Sequence, residues 1–304
     1  MRIDAHHHFW DPGKRHYYWM DGDAVAPIRR PIGPEDMRPL LAAASIDGTV
    51  LVQAVPDPGE TTDMLEQAAR TSFVRGVVGW ADLASPSLAA TLAALKEGPG
   101  GEYLVGIRHQ AHDEADPDWL VRPEIIAGIR ACHEAGLAYD LLVRERELPA
   151  AIACVEALPK DMRLVVDHIA KPRIASRAIQ PWLDLMQRIA AFPNVHCKLS
   201  GMVTEADWGT WSVADLAPYA NHVIELFGPE RVMFGSDWPV SLLAAPYERV
   251  VAACDELVSS LPEAARDAIM GANAQRFYRL PAGSSHDRTI EVREGRVPGR
   301  GVAG

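Results

Sequence analysis

Short runs of β-branched and apolar residues recur along the chain at regular spacing, each followed by a longer stretch of helical character. The runs cover 2–8, 49–55, 74–80, 104–110, 138–144, 163–168, 195–200 and 232–237. Their starts are separated by about 33 residues on average, the length of one strand, a crossover helix and the connections. Several runs, Leu164-Val165-Val166 among them, lack polar alternation, as strands buried on both faces do. Eight such units predict an α/β chain folded as a single (β/α)8 TIM barrel over 1–280. A doubly wound open sheet is the alternative topology, but no strand run is followed by Gly-x-Gly-x-x-Gly.

The intervening stretches carry helix punctuation. Pro34, Pro86, Pro123 and Pro262 stand where a first helical position is expected, with Ser85 as the cap before Pro86. Gly136 and Gly228 stand where a left-handed residue would end a helix. In 123–135, Ile125, Ile126, Ile129 and Cys132 approximate a helical apolar stripe. The final segment, 281–304, is rich in Gly and Arg. It reads as a polar tail, packed on the surface or partly disordered, with one candidate edge strand at Thr289-Ile290-Glu291-Val292.

Composition removes whole classes of function. The net charge of −11 leaves no basic face for nucleic acid or anionic lipid. No run of apolar residues is long enough to span a membrane. The opening Met1-Arg2-Ile3-Asp4-Ala5-His6 lacks the apolar core of a secretory leader. Cys132, Cys154, Cys197 and Cys254 form no Cys-x-x-Cys pair and read as buried thiols of a cytoplasmic protein.

In a barrel of this kind, chemistry belongs at the carboxyl ends of the strands. The first run ends His6-His7-His8, with His6 and His8 on one face and His7 on the other. The sixth ends Asp167-His168, the seventh carries His196, Lys198 and Ser200 at period two, and the eighth ends Gly235-Ser236-Asp237-Trp238-Pro239. The use of such a cluster is hydrolysis: a carboxylate takes a proton from water while imidazoles orient it or polarise a carbonyl. Two histidines at i, i+2 with a third histidine and an aspartate also make a single-metal site. His112, His133, His222 and His286 fall on loops, helices or the tail and read as non-functional.

Ile3-Asp4-Ala5-His6-His7-His8-Phe9-Trp10 resembles the opening strand of the amidohydrolase superfamily. Asp167-His168-Ile169-Ala170-Lys171-Pro172, Cys197-Lys198-Leu199-Ser200-Gly201 and Met233-Phe234-Gly235-Ser236-Asp237-Trp238-Pro239 resemble its amidohydrolase-2 branch of lactone hydrolases. Within that branch Gly106-Ile107-Arg108-His109-Gln110, and Met202-Val203-Thr204-Glu205-Ala206-Asp207-Trp208, resemble members that open L-fucose-like aldonolactones. The resemblance implies Asp237 as general base and His168 as polariser of the lactone carbonyl, with His6 and His8 holding the water. It implies no obligatory cofactor; a single divalent ion such as zinc would sit on His6, His8, His168 and Asp237. A two-metal centre is not expected. The fourth strand offers Arg108-His109-Gln110 in place of a bridging residue, and the fifth, Tyr139-Asp140-Leu141-Leu142-Val143, has no histidine.

Substrate contacts are expected from Arg108, Lys171 and Lys198, as partners for oxyanion or product carboxylate, and from His109. Gln53 and Gln110 could bond hydroxyls. Phe9, Trp10, Tyr17, Tyr18 and Trp19, with Trp80, Trp208, Trp211 and Trp238 near other strand ends, could form a stacking wall. The expected partner is a small lactone, with a homo-oligomer left open. Two other activities fit the same residues: a mononuclear metal-dependent amidohydrolase or decarboxylase, and a lactonase for muconic or pyrone-type lactones. A silent barrel that only binds a sugar acid is disfavoured by the intact His6, His8, His168 and Asp237 set.

Overall fold

A computed structural model describes residues 1–281. The expected tail therefore lies, from 282 onward, outside the described residues, and the candidate strand at 289–292 lies there with it. Eight parallel strands pair in chain order. They are β1 (Ile3–His7), β2 (Gly48–Val52), β3 (Val74–Gly79), β4 (Leu104–His109), β5 (Ala138–Leu141), β6 (Leu164–Val166), β7 (Val195–Leu199) and β8 (Val232–Phe234). The ring is joined just beyond β8, where the Asp237 amide donates to the His6 carbonyl at 2.8 Å and the His8 amide to the Trp238 carbonyl at 2.7 Å. This is the (β/α)8 barrel expected from the spacing.

The outer helices are α1 (Pro34–Ala44), α2 (Pro58–Ala69), α3 (Leu88–Glu97), α4 (Pro123–Glu134), α5 (Leu148–Ala157), α6 (Trp182–Ala190), the short α7 (Met202–Glu205), α8 (Val213–Phe227) and α9 (Tyr247–Leu257). Two further short helices, α10 (Glu263–Asp267) and α11 (Asn273–Tyr278), follow. Pro34 and Pro123 open their helices as expected, and Gly136 and Gly228 have φ of 79° and 72°. Pro86 does not open α3. That helix starts at Leu88, because Ser85 and Ser87 bond to each other ahead of it. Pro262 likewise stands one residue before α10 rather than inside it. On α4 the buried stripe is Ile125, Gly128, Ile129 and Cys132, with Ile126 only partly covered. All four cysteines are free and buried.

Two apolar layers result. A large one fills the space between strands and helices. A small one inside the barrel joins Ile3, Ala5, Val50, Val52, Val78, Ala138, Val165 and Met233 to Phe277 and Tyr278 of α11 and to Leu280 just beyond it. The mouth is left for polar residues. Each strand stops one to three residues short of the run read from sequence, because those last residues leave the ladder. No helix among the described residues is long and apolar enough to cross a membrane.

Candidate active site

A bulge in β1 sets the first pair of histidines. Its register against β2 advances three residues, from Asp4 to His7, while β2 advances two, from Thr49 to Leu51. Asp4 therefore points outward, accepting from the Ser236 amide at 2.8 Å and the Tyr247 hydroxyl at 3.1 Å. Ala5 joins the inner core, and His6 and His8 both face inward. His7 turns out to Thr49, 2.9 Å away. The expected split of His6 and His8 from His7 is what the strand adopts.

The third histidine and the aspartate sit on strained backbone. His168, Ile169, Ala170 and Lys171 all have φ between 47° and 59°, and Asp237 has φ of 56°. Left-handed geometry costs an L-residue roughly 1–2 kcal/mol, and none of these is glycine. The turn is held by Lys171 N–H on the His168 carbonyl at 2.8 Å and by Trp182 Nε1–H on the Ile169 carbonyl at 2.7 Å. Gly201 lets it fit: a Cβ there would lie 2.7 Å from His168 Nδ1.

The result is one carboxylate ringed by imidazoles. Asp237 Oδ1 lies 3.3 Å from His8 Nε2 and 3.8 Å from Nε2 of both His6 and His168. His8 Nδ1 donates to the Val52 carbonyl at 2.7 Å, which turns Nε2 toward Asp237. His168 Nδ1 meets the Ser200 hydroxyl at 2.9 Å, a partner that can give or take and so serves either tautomer. Burial pushes all three rings below their usual pKa, His168 to about 3. Burial alone would raise Asp237; the rings of His168, His8 and His6 outweigh it and hold the carboxylate below its ordinary range.

An ionic layer lies beneath. Lys198 Nζ is 2.6 Å from Asp140 Oδ2, 3.1 Å from Asp167 Oδ1 and 3.1 Å from His6 Nδ1. Arg108 Nη1 reaches Asp167 Oδ2 at 3.1 Å and His6 Nε2 at 3.1 Å, and Nη2 donates to the Gln53 carbonyl. The Tyr278 hydroxyl closes the layer from below on Asp140, at 2.8 Å from Oδ2. Burial would lift Asp167, but Lys198, His6 and Arg108 hold it well below the carboxylate range. Asp140 goes the other way, raised by burial to about 6 despite Lys198.

The donor set fits a single divalent ion. One donor atom from each of His6, His8 and Asp237 lies within 4.8 Å of the others. Tetrahedral zinc with bonds of about 2.1 Å needs donors about 3.4 Å apart, and the 3.3 to 3.8 Å separations around Asp237 are of that size. His6 Nε2 is contested, since the Arg108 guanidinium already points at it.

The mouth holds a cavity of about 220 Å³ lined by His8, Arg108, His168, Lys171 and Asp237, together with Trp19, Ala54, Gln110, His112, Asp113, Leu142, Arg144 and Val240. A larger hollow of about 420 Å³ lies outside the barrel, between the β1–α1 loop and α2, and touches none of the clustered imidazoles. Of the expected substrate contacts, Arg108, Lys171, Gln110 and Trp19 line the mouth, Lys171 paired with Glu205 at 2.9 Å. Lys198, Gln53, His109, Trp80 and Trp10 stand back from it. Lys198 is fully buried below His6, and Gln53 is fully buried with its amide on the Arg108 carbonyl. His109 follows Arg108 on the opposite face of β4; it stacks on Trp119 at 4.2 Å, bonds Glu114, and receives Trp80 Nε1–H at 2.9 Å. Trp10 packs behind His8, with ring centres 6.1 Å apart. His112, read as non-functional, forms part of the cavity wall beside Asp113. Asp113 and Arg144 went unread as site residues. The signal for both was their place, Arg144 at the end of the fifth run and Asp113 just past the fourth.

An eight-stranded barrel with three histidines and an aspartate gathered at its mouth defines a hydrolase of the amidohydrolase type. Residues 3–280 match the Amidohydrolase family, and the chain belongs to it. It is 42% identical over 292 residues to the L-fucono-1,5-lactonase of Burkholderia ambifaria, covering 94% of this chain and 99% of that one. It is 38% identical to the L-fucono-1,5-lactonase of Burkholderia multivorans, covering 92% and 97%. A crystal structure of an amidohydrolase from Burkholderia multivorans with bound zinc superposes with a TM-score of 0.86 at 38% identity, over 92% of this chain and all of that one.

Proposed function

We propose that this protein hydrolyses a sugar-acid lactone, an aldonolactone of L-fucose-like configuration. The observation that carries the reading is the Asp237 carboxylate, held ionised 3.3 to 3.8 Å from three imidazoles at the floor of the mouth cavity. The similarity to two L-fucono-1,5-lactonases over nearly their whole length supports the substrate class.

In this reading a water on Asp237, steadied by His6 and His8, attacks the lactone carbonyl as Asp237 takes its proton. His168, with its proton on Nε2, polarises the carbonyl, and Arg108 faces the oxyanion charge that develops. The carbon–ring-oxygen bond then breaks, and the proton on Asp237 passes to the leaving ring oxygen. The product is a hydroxy acid whose carboxylate finds Arg108, Lys171 and Arg144 on the cavity wall. A lactone has no amide resonance, so these groups meet a modest electrophilic demand. A zinc ion, when bound by His6, His8 and Asp237, would add Lewis-acid polarisation and a more acidic water.

A pH-indicator screen of aldonolactones, with and without chelator, tests this. The expected outcome is fastest acid release from L-fucose-like or D-arabinose-like lactones, persisting after chelation. Silence on sugar lactones with turnover of muconic or pyrone-type lactones would overturn the substrate class. Activity lost with chelator and restored by zinc would make the ion obligatory.

A further inference from the structure

The end of β2 orients more of the site than its side chains do. The Val52 carbonyl is bonded to His8 Nδ1 at 2.7 Å. The next carbonyl, of Gln53, accepts from Arg108 Nη2. The next, of Ala54, accepts from Trp19 Nε1 at 2.9 Å and from Gln110 Nε2 at 3.0 Å. Three successive carbonyls thus aim four side chains, all of which line the mouth cavity. The last ladder bond on this segment is from the Gln53 amide to Val78. Beyond it the backbone is held by Glu60, in the first turn of α2, whose Oε2 accepts the Ala54 amide at 2.8 Å and the Val55 amide at 3.0 Å.

Glu60 is 2% exposed, and its Oε1 has no hydrogen-bond partner among the described residues. Tyr17 and Arg15 face it from the β1–α1 loop, and burial lifts its carboxyl to about 7. Burying a carboxylate with one oxygen unsatisfied is unfavourable. What offsets that here is a pair of backbone bonds to one turn, each strengthened when the acceptor is ionised.

We propose that Glu60 is a positioning residue of this active site, fixing the Ala54–Val55 backbone and, through the carbonyls of residues 52–54, the aim of His8, Arg108, Trp19 and Gln110. Its kinetic consequence rests on the lactonase reading; the clamp itself does not. Glu60→Gln keeps an oxygen able to accept both amides, Glu60→Leu keeps volume without an acceptor, and Glu60→Asp keeps charge one methylene short. Amide hydrogen exchange and steady-state kinetics on the best lactone are read on all three. Leu and Asp should lose protection at Ala54 and Val55 and lose roughly tenfold or more in kcat while folded, since small misplacement of reacting groups is costly. Gln should restore both. Unchanged exchange at Ala54 and Val55, or wild-type kcat and KM, in the folded Leu or Asp variant overturns the proposal. Should Leu not fold, Asp against Gln decides. Should the wild-type protein open no lactone, the functional reading fails, and exchange alone judges the clamp.

Discussion

Lys198 and Asp140 form a fully buried ion pair, Nζ to Oδ2 2.6 Å, directly beneath His6. Neither touches the cavity, yet Lys198 is also the partner of Asp167 and of His6 Nδ1. Removing one member of such a pair strands the other, at a cost of about 3–5 kcal/mol. Lys198→Met should therefore lower unfolding free energy by that order in a denaturant titration. Adding Asp140→Asn should recover a good part of it. A single variant as stable as wild type would show that the pair is not ionised.

Asp237→Asn should cut kcat on the preferred lactone by about 10²–10⁴, the usual contribution of a general base. Its thermal midpoint at pH 7 should fall, because a carboxylate held below its ordinary pKa contributes stability to the folded state above that pH range. Turnover near the wild-type level would take the base role from Asp237.

Gly201 and Gly136 both have left-handed backbones, with φ of 61° and 79°. An added Cβ meets His168 at Gly201 and nothing within 4 Å at Gly136. Both alanine variants should lose about 1–2 kcal/mol of stability from the backbone alone. Only Gly201→Ala should also lose kcat, by displacing His168. Equal kinetics in the two would mean that the His168 ring has room to move.

Burial raises the Glu60 carboxyl from its ordinary 4.5 to about 7. The protonated form is thus favoured in the folded state. The stability this gives is fully present below pH 4.5 and is lost as pH rises through 7. Glu60→Gln should accordingly be the more stable protein at pH 8, by up to roughly 3 kcal/mol, and should match wild type near pH 4. Melting curves across that range read the difference directly. A gap that does not change with pH would place the folded-state pKa elsewhere.

The barrel was legible because its period repeats eight times and because strand ends, whatever loops follow, must face the mouth. His6, His8, His168 and Asp237 were legible for the same reason. The cavity wall was not. Trp10 and Trp80 are aromatic residues beside strand ends, but whether such a ring lines the mouth or backs a histidine depends on the path of its loop. His109 was misread because it neighbours Arg108, although alternation on one strand turns adjacent residues to opposite faces. Lys198 shares its face with Ser200, yet lies one layer deeper, and sequence spacing carries no depth. The left-handed run from His168 to Lys171 left no trace, since it contains no glycine to announce it.

The bulge in β1 makes the site a matter of counting. Between Asp4 and His7 one surplus residue turns a strand that would alternate evenly into one where Ala5 and His6 face the same way. Residues before the surplus obey one phase and seal the barrel; residues after it obey the other and supply the chemistry. A deletion of Ala5 would change no functional group and would merge the two phases into one even alternation, at the loss of one side chain from the inner core. Scaffold and reagent share a strand here while out of step by one.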